Sequence, residues 1–558
     1  MLNSSFSKKD LLRHFLCGIS IFIVFIVICA FVIPLVFSIL PLFSQDDIAS
    51  SSFSSFATSK KVFVKYIFNA LKFTIKQAFF STLVALLVGI PMGFFVSQRK
   101  FFGKKFFVAL SAVPFCVPTL LVALAYVQFF GMNGALNNFL KSVFGLKSSP
   151  VTFLYSFVGI VIAQGFYNFP LVMKTCSDVW SRIDVRQENI AILLGANPIK
   201  RFFSVTIHQI STAITTSAIS VFLYCFFSFI IVLLFGAIGC TTIEVEIYQA
   251  VKNTLNFSLA SILAIIETLS ALILCFVVLL IEKKSRANKS LSNPCICVKL
   301  KSIYEKLFLS ILIGLIIFFF VFPFFSLIFS AFNKVNFVLS NKNLYVAIKD
   351  SVLTALCTAS FSVISALTCA LFFRLNKKFQ NGIFVRLVPL VPMAVSSIII
   401  GYGLIIFLQI LGIESNFFML SIFQTVLAFP FAFRLISNSL DKINFQIDDV
   451  CSVFSSDKTK SIFWIYIPNV KESIYSAFAF SFAISCGDTS LPLILSIQNY
   501  NPLSLYTFRL ASSYQFESSC LCGIILMIVG SSFFILKSLY DFVSKKMENL
   551  WKKIWKKI

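Results

Sequence analysis

Gln164-Gly165-Phe166-Tyr167-Asn168-Phe169-Pro170-Leu171-Val172-Met173-Lys174 decides the fold, because the chain carries a second version of it. At an offset of 260, Gln424 meets Gln164, Phe429-Pro430 meets Phe169-Pro170, and Arg434 meets Lys174. The same offset pairs Ile183 with Ile443, Phe203 with Phe463 and Ile207 with Ile467. Apolar matches prove little in an apolar chain. Polar, Pro and basic matches held without a gap over more than forty residues point to a tandem duplication.

Outward from this stretch the chain is a series of apolar runs. Of 558 residues, 58% are hydrophobic and 12% charged, with 71 Phe and 2 His. A soluble protein carries about twice that charged fraction. The composition excludes a soluble enzyme, a disordered chain and a fibrous protein. It leaves an all-α polytopic membrane protein, whose helices each need about 20 apolar residues to cross the hydrocarbon core. Twelve such runs are expected, near 15–42, 66–97, 106–130, 152–173, 210–236, 256–281, 307–332, 346–373, 384–410, 416–436, 472–497 and 516–537. The first is too long for the apolar core of a cleavable leader and is read as retained.

The net charge of +25 does not call for nucleic acid, since the basic residues lie in short loops between runs. They orient the chain instead. Lys8, Lys9 and Arg13, then Arg99, Lys100, Lys104 and Lys105, then Lys283, Lys284, Arg286 and Lys289, then Arg374, Lys377 and Lys378, and the terminal lysines fall on one side. Lys60, Lys61 and Lys65 break the pattern. The bias puts both termini in the cytoplasm.

Six spans per copy is an even number, so the copies are parallel repeats with a path expected where they meet. The expected division is a first repeat, 1–281, a basic cytoplasmic linker, 282–305, a second repeat, 306–540, and a basic tail, 541–558. The tail sets Trp551 and Trp555 four apart among lysines. An amphipathic helix on anionic membrane lipid and a frayed end are equal readings of it. Ile243-Glu244-Val245-Glu246-Ile247-Tyr248 is similar to Leu503-Ser504-Leu505-Tyr506, two residues out of register. Runs three and nine correspond loosely, through Pro114 and Pro118 in one and Pro389 and Pro392 in the other. Pro170 and Pro430 are expected to bend spans four and ten near their cytoplasmic ends.

After those spans come the longest cytoplasmic loops, 174–209 and 434–470. Each reads as a broken helix pair. In the first, Gly195 and Pro198 end one helix and start the next. These loops resemble the coupling loops of permease subunits in binding-protein-dependent ABC importers, whose motif is Glu-Ala-Ala, three residues, Gly, then a distant Pro. Ala191 and Gly195 keep the pattern in the first copy, where Asn189 replaces Glu and His208 the Pro. Pro468 and the acidic Asp449 keep it in the second, where Cys451 and Ser455 replace Ala and Gly. Within that family the segment 236–250 is most similar to the fused thiamine and iron(III) permeases.

The resemblance implies that Asn189, Ala191, Gly195, Asp449, Cys451 and Ser455 lie on coupling helices. It implies two copies of a cytoplasmic ABC ATPase and an extracytoplasmic solute-binding protein as partners. It places the chain in a bacterial inner membrane, with thiamine as the first choice of solute and ferric iron as the alternative. No G-x-x-x-x-G-K-[ST] occurs, so ATP belongs to the partner and the chain needs no cofactor of its own.

No catalytic or metal-binding constellation is visible. His14 and His208 are isolated, the fifteen Cys lie mostly in apolar spans, and Cys295 with Cys297 is a weak metal signal. Glu267 and Asp488 fall inside spans, where charge is costly and faces a cavity or a partner. They could serve an ion-coupled carrier, line a path or pair structurally. Gln164 and Gln424 are the better path candidates because they recur. They could hydrogen-bond across the halves or face the solute.

Overall fold

The computed structural model describes residues 25–42, 60–111, 114, 117–183, 190–236, 239–286, 298–300, 302–332, 335–375, 388–443, 462–498 and 500–555. Asn189, Asp449, Cys451, Ser455, Cys295 and Cys297 lie outside them. The chain is a bundle of long helices. Among the described residues eleven are long and apolar enough to cross a membrane, and a shorter apolar helix, Ser397–Leu411, stands where the ninth span is expected. They are numbered α1 (Phe25–Leu42), α2 (Phe63–Gln98), α3 (Thr119–Phe144), α4 (Phe157–Trp180), α5 (Phe202–Phe226), α6 (Phe257–Leu274), α7 (Ile303–Phe332), α8 (Lys342–Arg374), α9 (Ser397–Leu411), α10 (Phe417–Leu440), α11 (Trp464–Leu495) and α12 (Phe516–Lys537).

From the fourth span of each half to the short helix before the last span, the duplication is kept residue for residue. Phe157–Trp180 and Phe417–Leu440 are offset by 260 at both ends, as are the π-turns Phe202–Thr206 and Ile462–Tyr466. The short helices Ile230–Phe235 and Ser490–Leu495 follow the same rule. So do Ile243–Lys252 and Leu503–Ser512. This corrects the two-residue slip expected there. Tyr506 occupies the place of Glu246, and matching it to Tyr248 shifted the register. Both helices are tied down alike. The Ile243 amide donates to Thr74 Oγ1 on α2 at 3.1 Å, and the Leu503 amide to Ser351 Oγ on α8 at 2.6 Å.

The prolines of the third and ninth runs lie ahead of the long helices, not within them. Pro118 is the N-cap of Thr119–Phe130, with an extended ψ of 144°. The run expected over 106–130 is therefore split, with Lys104–Leu110 a separate short helix. Pro389 and Pro392 sit in a 3-10 turn, Val388–Ala394, before α9. The reason is the same in each case: proline has no N–H to give the preceding turn, and it is tolerated at a helix start. Pro170 and Pro430 are instead interior, since their helices run on to Trp180 and Leu440.

The first half packs through small residues. A Cβ at Gly89 of α2 would meet Val172 Cβ of α4 at 2.6 Å, and one at Gly93 would meet the Met173 carbonyl at 3.0 Å. This G-x-x-x-G face lets the two backbones approach closely. The opposite, lipid-facing sides carry exposed Phe68, Phe79, Leu83 and Leu87.

The first helix of each half reaches across to the other. α1 lies on α9, with Phe37 and Phe407 rings 5.0 Å apart and the Pro34 backbone against Gly403. Val27 joins a core with Val363 and Phe429. In exchange, α7 lies on α3 and α4. Phe319 stacks on Phe166 at 4.9 Å, and the Tyr126 hydroxyl donates to the Phe319 carbonyl at 2.6 Å. Leu309, Leu312 and Ile316 belong to the core that holds Phe95 and Phe169. At the base of this exchange, Arg99–Lys100 pairs in parallel with Val298–Lys299, and Arg99 forms a two-pronged ion pair with Glu305. α12 belongs to one helix, Phe516–Trp555, that continues into the tail without a break.

Candidate functional site

The two recurring glutamines are buried and bond within their own halves. Gln164 Nε2 donates to Ser228 Oγ at 2.8 Å. Gln424 Nε2 donates to Asp488 Oδ2 at 3.3 Å. Ser228 and Asp488 are themselves 260 apart, so the same pair is made twice, once neutral and once charged. The second pair is richer. Gln424 Oε1 accepts from Ser485 Oγ at 2.6 Å and from Thr358 Oγ1 at 3.5 Å, and Asp488 Oδ1 accepts the Ser490 amide at 3.1 Å. Asp488 is thus a satisfied carboxylate beside the chain reversal that follows Ile467–Gly487.

Glu267, on α6, is 1% exposed. It stands close enough to Glu244 for their charges to repel, and Glu244 also feels Asp488. Glu244 sits in the first turn of Ile243–Lys252 and is 2% exposed. The hydroxyl of Ser396 lies beside both glutamates. Ser396 is the N-cap of α9, where its Oγ accepts the Ile399 amide at 3.3 Å. Two glutamates of the first half therefore adjoin Ser396 of the second, and of the two it is Glu244 that lies within the field of Asp488.

They are not equally served. Neither Glu267 oxygen, nor Glu244 Oε2, has a hydrogen-bond partner among the described residues. Glu246, two residues on, is held by the hydroxyls of Tyr66 and Thr241. The ion pairs Arg99–Glu305 and Lys174–Asp178 lie elsewhere. Taking an unpaired charge into such a setting costs several kcal/mol. Just beyond, Tyr402 of α9 bonds to Ser261 Oγ and to the Phe257 carbonyl at 2.8 Å each, closing the seam between α6 and α9. Lys252 donates across the halves to Ser496 Oγ at 3.0 Å, and burial pushes its amine below its ordinary value.

The sequence picked out Glu267, Asp488, Gln164 and Gln424. It missed Glu244, Ser396 and Ser228. The signal for Glu244 was an acidic residue in an apolar stretch too short to be a span. Among the described residues no group of three or more His, Cys, Asp or Glu is placed to hold a metal ion.

On the first long loop, the chain ends one helix at Gly195 and starts the next at Pro198. Gly195 has φ 77°, its amide bonds to the Ile192 carbonyl at 2.9 Å, and the Ala196 amide bonds to the Ala191 carbonyl at 2.9 Å. These are the two bonds of a Schellman stop, which needs a residue free to adopt positive φ. Before it, Ile190, Ile192, Leu193 and Leu194 are 55%, 50%, 86% and 82% exposed. Ala191 is half-buried among them.

Residues 85–286 match the family described as binding-protein-dependent transport system inner membrane component. The thiamine transport system permease protein ThiP of Haemophilus influenzae is 24% identical over 490 residues, covering 85% of this chain and 89% of the relative. ThiP of Escherichia coli is 23% identical over 480 residues, covering 83% and 87%. The putative 2-aminoethylphosphonate transport system permease protein PhnU of Salmonella typhi is 29% identical over 229 residues, 41% of this chain and 78% of the relative. The doubled architecture agrees with these matches: over residues 85–286 the chain is similar to the inner membrane components of binding-protein-dependent transport systems, and over most of its length to thiamine permeases.

Proposed function

We propose that this permease moves thiamine inward by alternating access between its two halves. The observation that carries the reading is that permeases named for thiamine transport match the chain across both copies, over 83–85% of its length. An external binding protein delivers the solute. Two copies of a separate ABC ATPase dock beneath the loops near 180–206 and 440–466, with both termini on that side. The chain performs no covalent chemistry, and ATP is bound and split by the partner.

The exposed run Ile190 to Leu194 supports docking, since four large apolar side chains in water ask for a cover. Their presentation depends on the Gly195 turn. A Cβ at Gly195 meets nothing within 4 Å, so a substitution there acts through backbone strain alone. At about 1–2 kcal/mol, Gly195→Val is expected to weaken ATPase co-purification roughly 5- to 30-fold, with Gly195→Asn milder and membrane insertion unchanged. Equal recovery of ATPase with Gly195→Val would count against docking on this loop.

The solute is tested by uptake of labelled thiamine into proteoliposomes holding the permease, its ATPase and its binding protein, with a ferric iron arm run in parallel. ATP-dependent thiamine uptake is expected. Ferric uptake without thiamine uptake would overturn the choice of solute. Uptake driven by an ion gradient without ATP would overturn the ABC mechanism.

A further inference from the structure

We propose that the helix Ala135–Phe144 is an amphipathic anchor that seats the first half on a phospholipid surface, with Phe139, Val143 and Phe144 in the acyl boundary and Lys141 at the phosphates. The inference needs only the membrane-spanning reading of the chain and goes beyond it by assigning a lipid-binding face.

The duplication sets this helix apart. In the second half α9 ends at Leu411 and α10 begins at Phe417, so only 412–416 join them. In the first half the helix Thr119–Phe130, which opens α3, ends where Gly131 turns extended with ψ 168°, and α4 begins at Phe157. Residues 131–156 are therefore a connection with no counterpart of similar length in the second half. They lie at the end of α4 away from the long loop 174–209, and Ala135–Phe144 is the helix they carry.

The two faces of this helix are cleanly divided. Leu136, Phe139, Leu140 and Val143 follow the i, i+3, i+4, i+7 spacing of one face, and Phe144 borders it. Asn137, Asn138, Lys141 and Ser142 form the other face. A helix on a protein surface ordinarily turns its apolar face inward. Here the reverse holds. Phe139, Val143 and Phe144 are 62%, 57% and 68% exposed, and Leu136 and Leu140 are half-buried. The polar face supplies the buried contact. Asn137 is fully buried, its Nδ2 donates to the Gly131 and Val151 carbonyls at 2.8 Å each, and its Oδ1 accepts the Val151 amide at 2.9 Å. Both donor hydrogens and the acceptor of this amide are engaged, so it clamps the helix to the start and the return of its loop. Ser149 Oγ adds a bond to the Met132 carbonyl at 2.8 Å. The outward aim of the apolar face is thus fixed by hydrogen bonds.

Lipid is the cover that fits this face. The helix stands between two membrane spans. Exposed apolar side chains continue from Met132 and Leu146 through Tyr155 to Val158, in the first turn of the span α4. Residues 131–156 include Lys141 and Lys147 and no acidic residue, a charge that complements phosphate headgroups. Aromatic and aliphatic side chains on one face and lysine on the other are the make-up of a helix lying in the membrane interface, its apolar side sunk about 5–10 Å. The anchor belongs to one half, so the two halves grip the membrane surface unequally.

The test uses the full permease assembled with its ATPase in vesicles of phosphatidylethanolamine and phosphatidylglycerol, with the solute-binding protein present in excess. The photoreactive residue p-benzoylphenylalanine replaces Phe139, Val143 or Phe144, and in the control Asn138 on the polar face. After irradiation, phospholipid adducts and cross-links to protein are separated by mass. Lipid adducts are expected to be roughly fivefold or more abundant from the three apolar positions than from Asn138. The proposal is overturned if the control gives equal yields, if the apolar positions acquire no lipid, or if they cross-link to the binding protein instead. Three probe positions on one face keep the test decisive if a single variant fails to assemble. Neither ATP nor solute enters the assay, so failure of the thiamine reading would not alter its outcome.

Discussion

Replacing Gly403 by alanine tests whether α1 is a structural part of the second half. A Cβ on Gly403 would overlap the Pro34 carbonyl oxygen and lie 2.9 Å from the Pro34 Cα. The obstacle is backbone, so no rotamer change relieves it. Overpacking of this kind costs about 1–3 kcal/mol, and a backbone clash belongs at the top of that range. Alanine returns about 0.5–1 kcal/mol of helix propensity relative to glycine. A net loss of about 2 kcal/mol is expected from the difference of the two terms. Gly314 on α7 is the control, because a Cβ there meets nothing within 4 Å. Gly314→Ala should be neutral or should stabilise by up to about 1 kcal/mol. Both variants can be compared by denaturant titration in mixed micelles, read through buried Trp180, with the wild type alongside. If Gly403→Ala is as stable as Gly314→Ala, the account of α1 as a tightly docked element is wrong.

Further substitutions probe the two glutamine networks and the linker. Gln424→Met removes the donor to Asp488 and the acceptor for Ser485, and should cost about 2–3 kcal/mol; Gln164→Met breaks one bond to Ser228 and should cost about 1 kcal/mol. Equal losses in the same titration would contradict the unequal networks. Arg99→Ala should cost less than about 1 kcal/mol, because the Arg99 and Glu305 side chains remain 22% and 34% exposed and water screens them. The swap Arg99→Glu with Glu305→Arg should restore stability at low salt, and a loss beyond about 2 kcal/mol for Arg99→Ala would show that more than the ion pair is at stake.

The duplication was readable because a few polar and proline positions stand out against an apolar background. Gln164, Pro170 and Lys174 have partners at 260, and the structure extends that register to Ser512. The exchange of α1 and α7 was not readable. An apolar side chain looks the same in sequence whether it will face lipid or another helix, and Phe37 and Phe319 carry no mark of their destination. The prolines of runs three and nine were placed inside spans, where they precede helices instead, because the apolar run continues on both sides of them. Glu244 escaped notice for a related reason. The search for buried charge followed the long spans, and Glu244 lies on the ten-residue helix Ile243–Lys252. Asp488 and Glu267 were visible as charges in the wrong medium, but that Asp488 is tied to Gln424 while Glu267 lies beside Ser396 required the third dimension.

The contact between Pro34 and Gly403 also constrains biosynthesis. The two residues are 403 − 34 = 369 positions apart. At about 5–20 residues per second, a ribosome needs roughly 20–70 s to deliver the second after the first. For that interval the earliest segment has entered the bilayer and its eventual neighbour does not exist. Phe25–Leu42 is suited to the wait: it contains no charged residue, and only 22% of it is buried in the finished protein. Lipid is an adequate solvent for it until Gly403 has been made, and the final embrace of the two halves is then a late event in assembly.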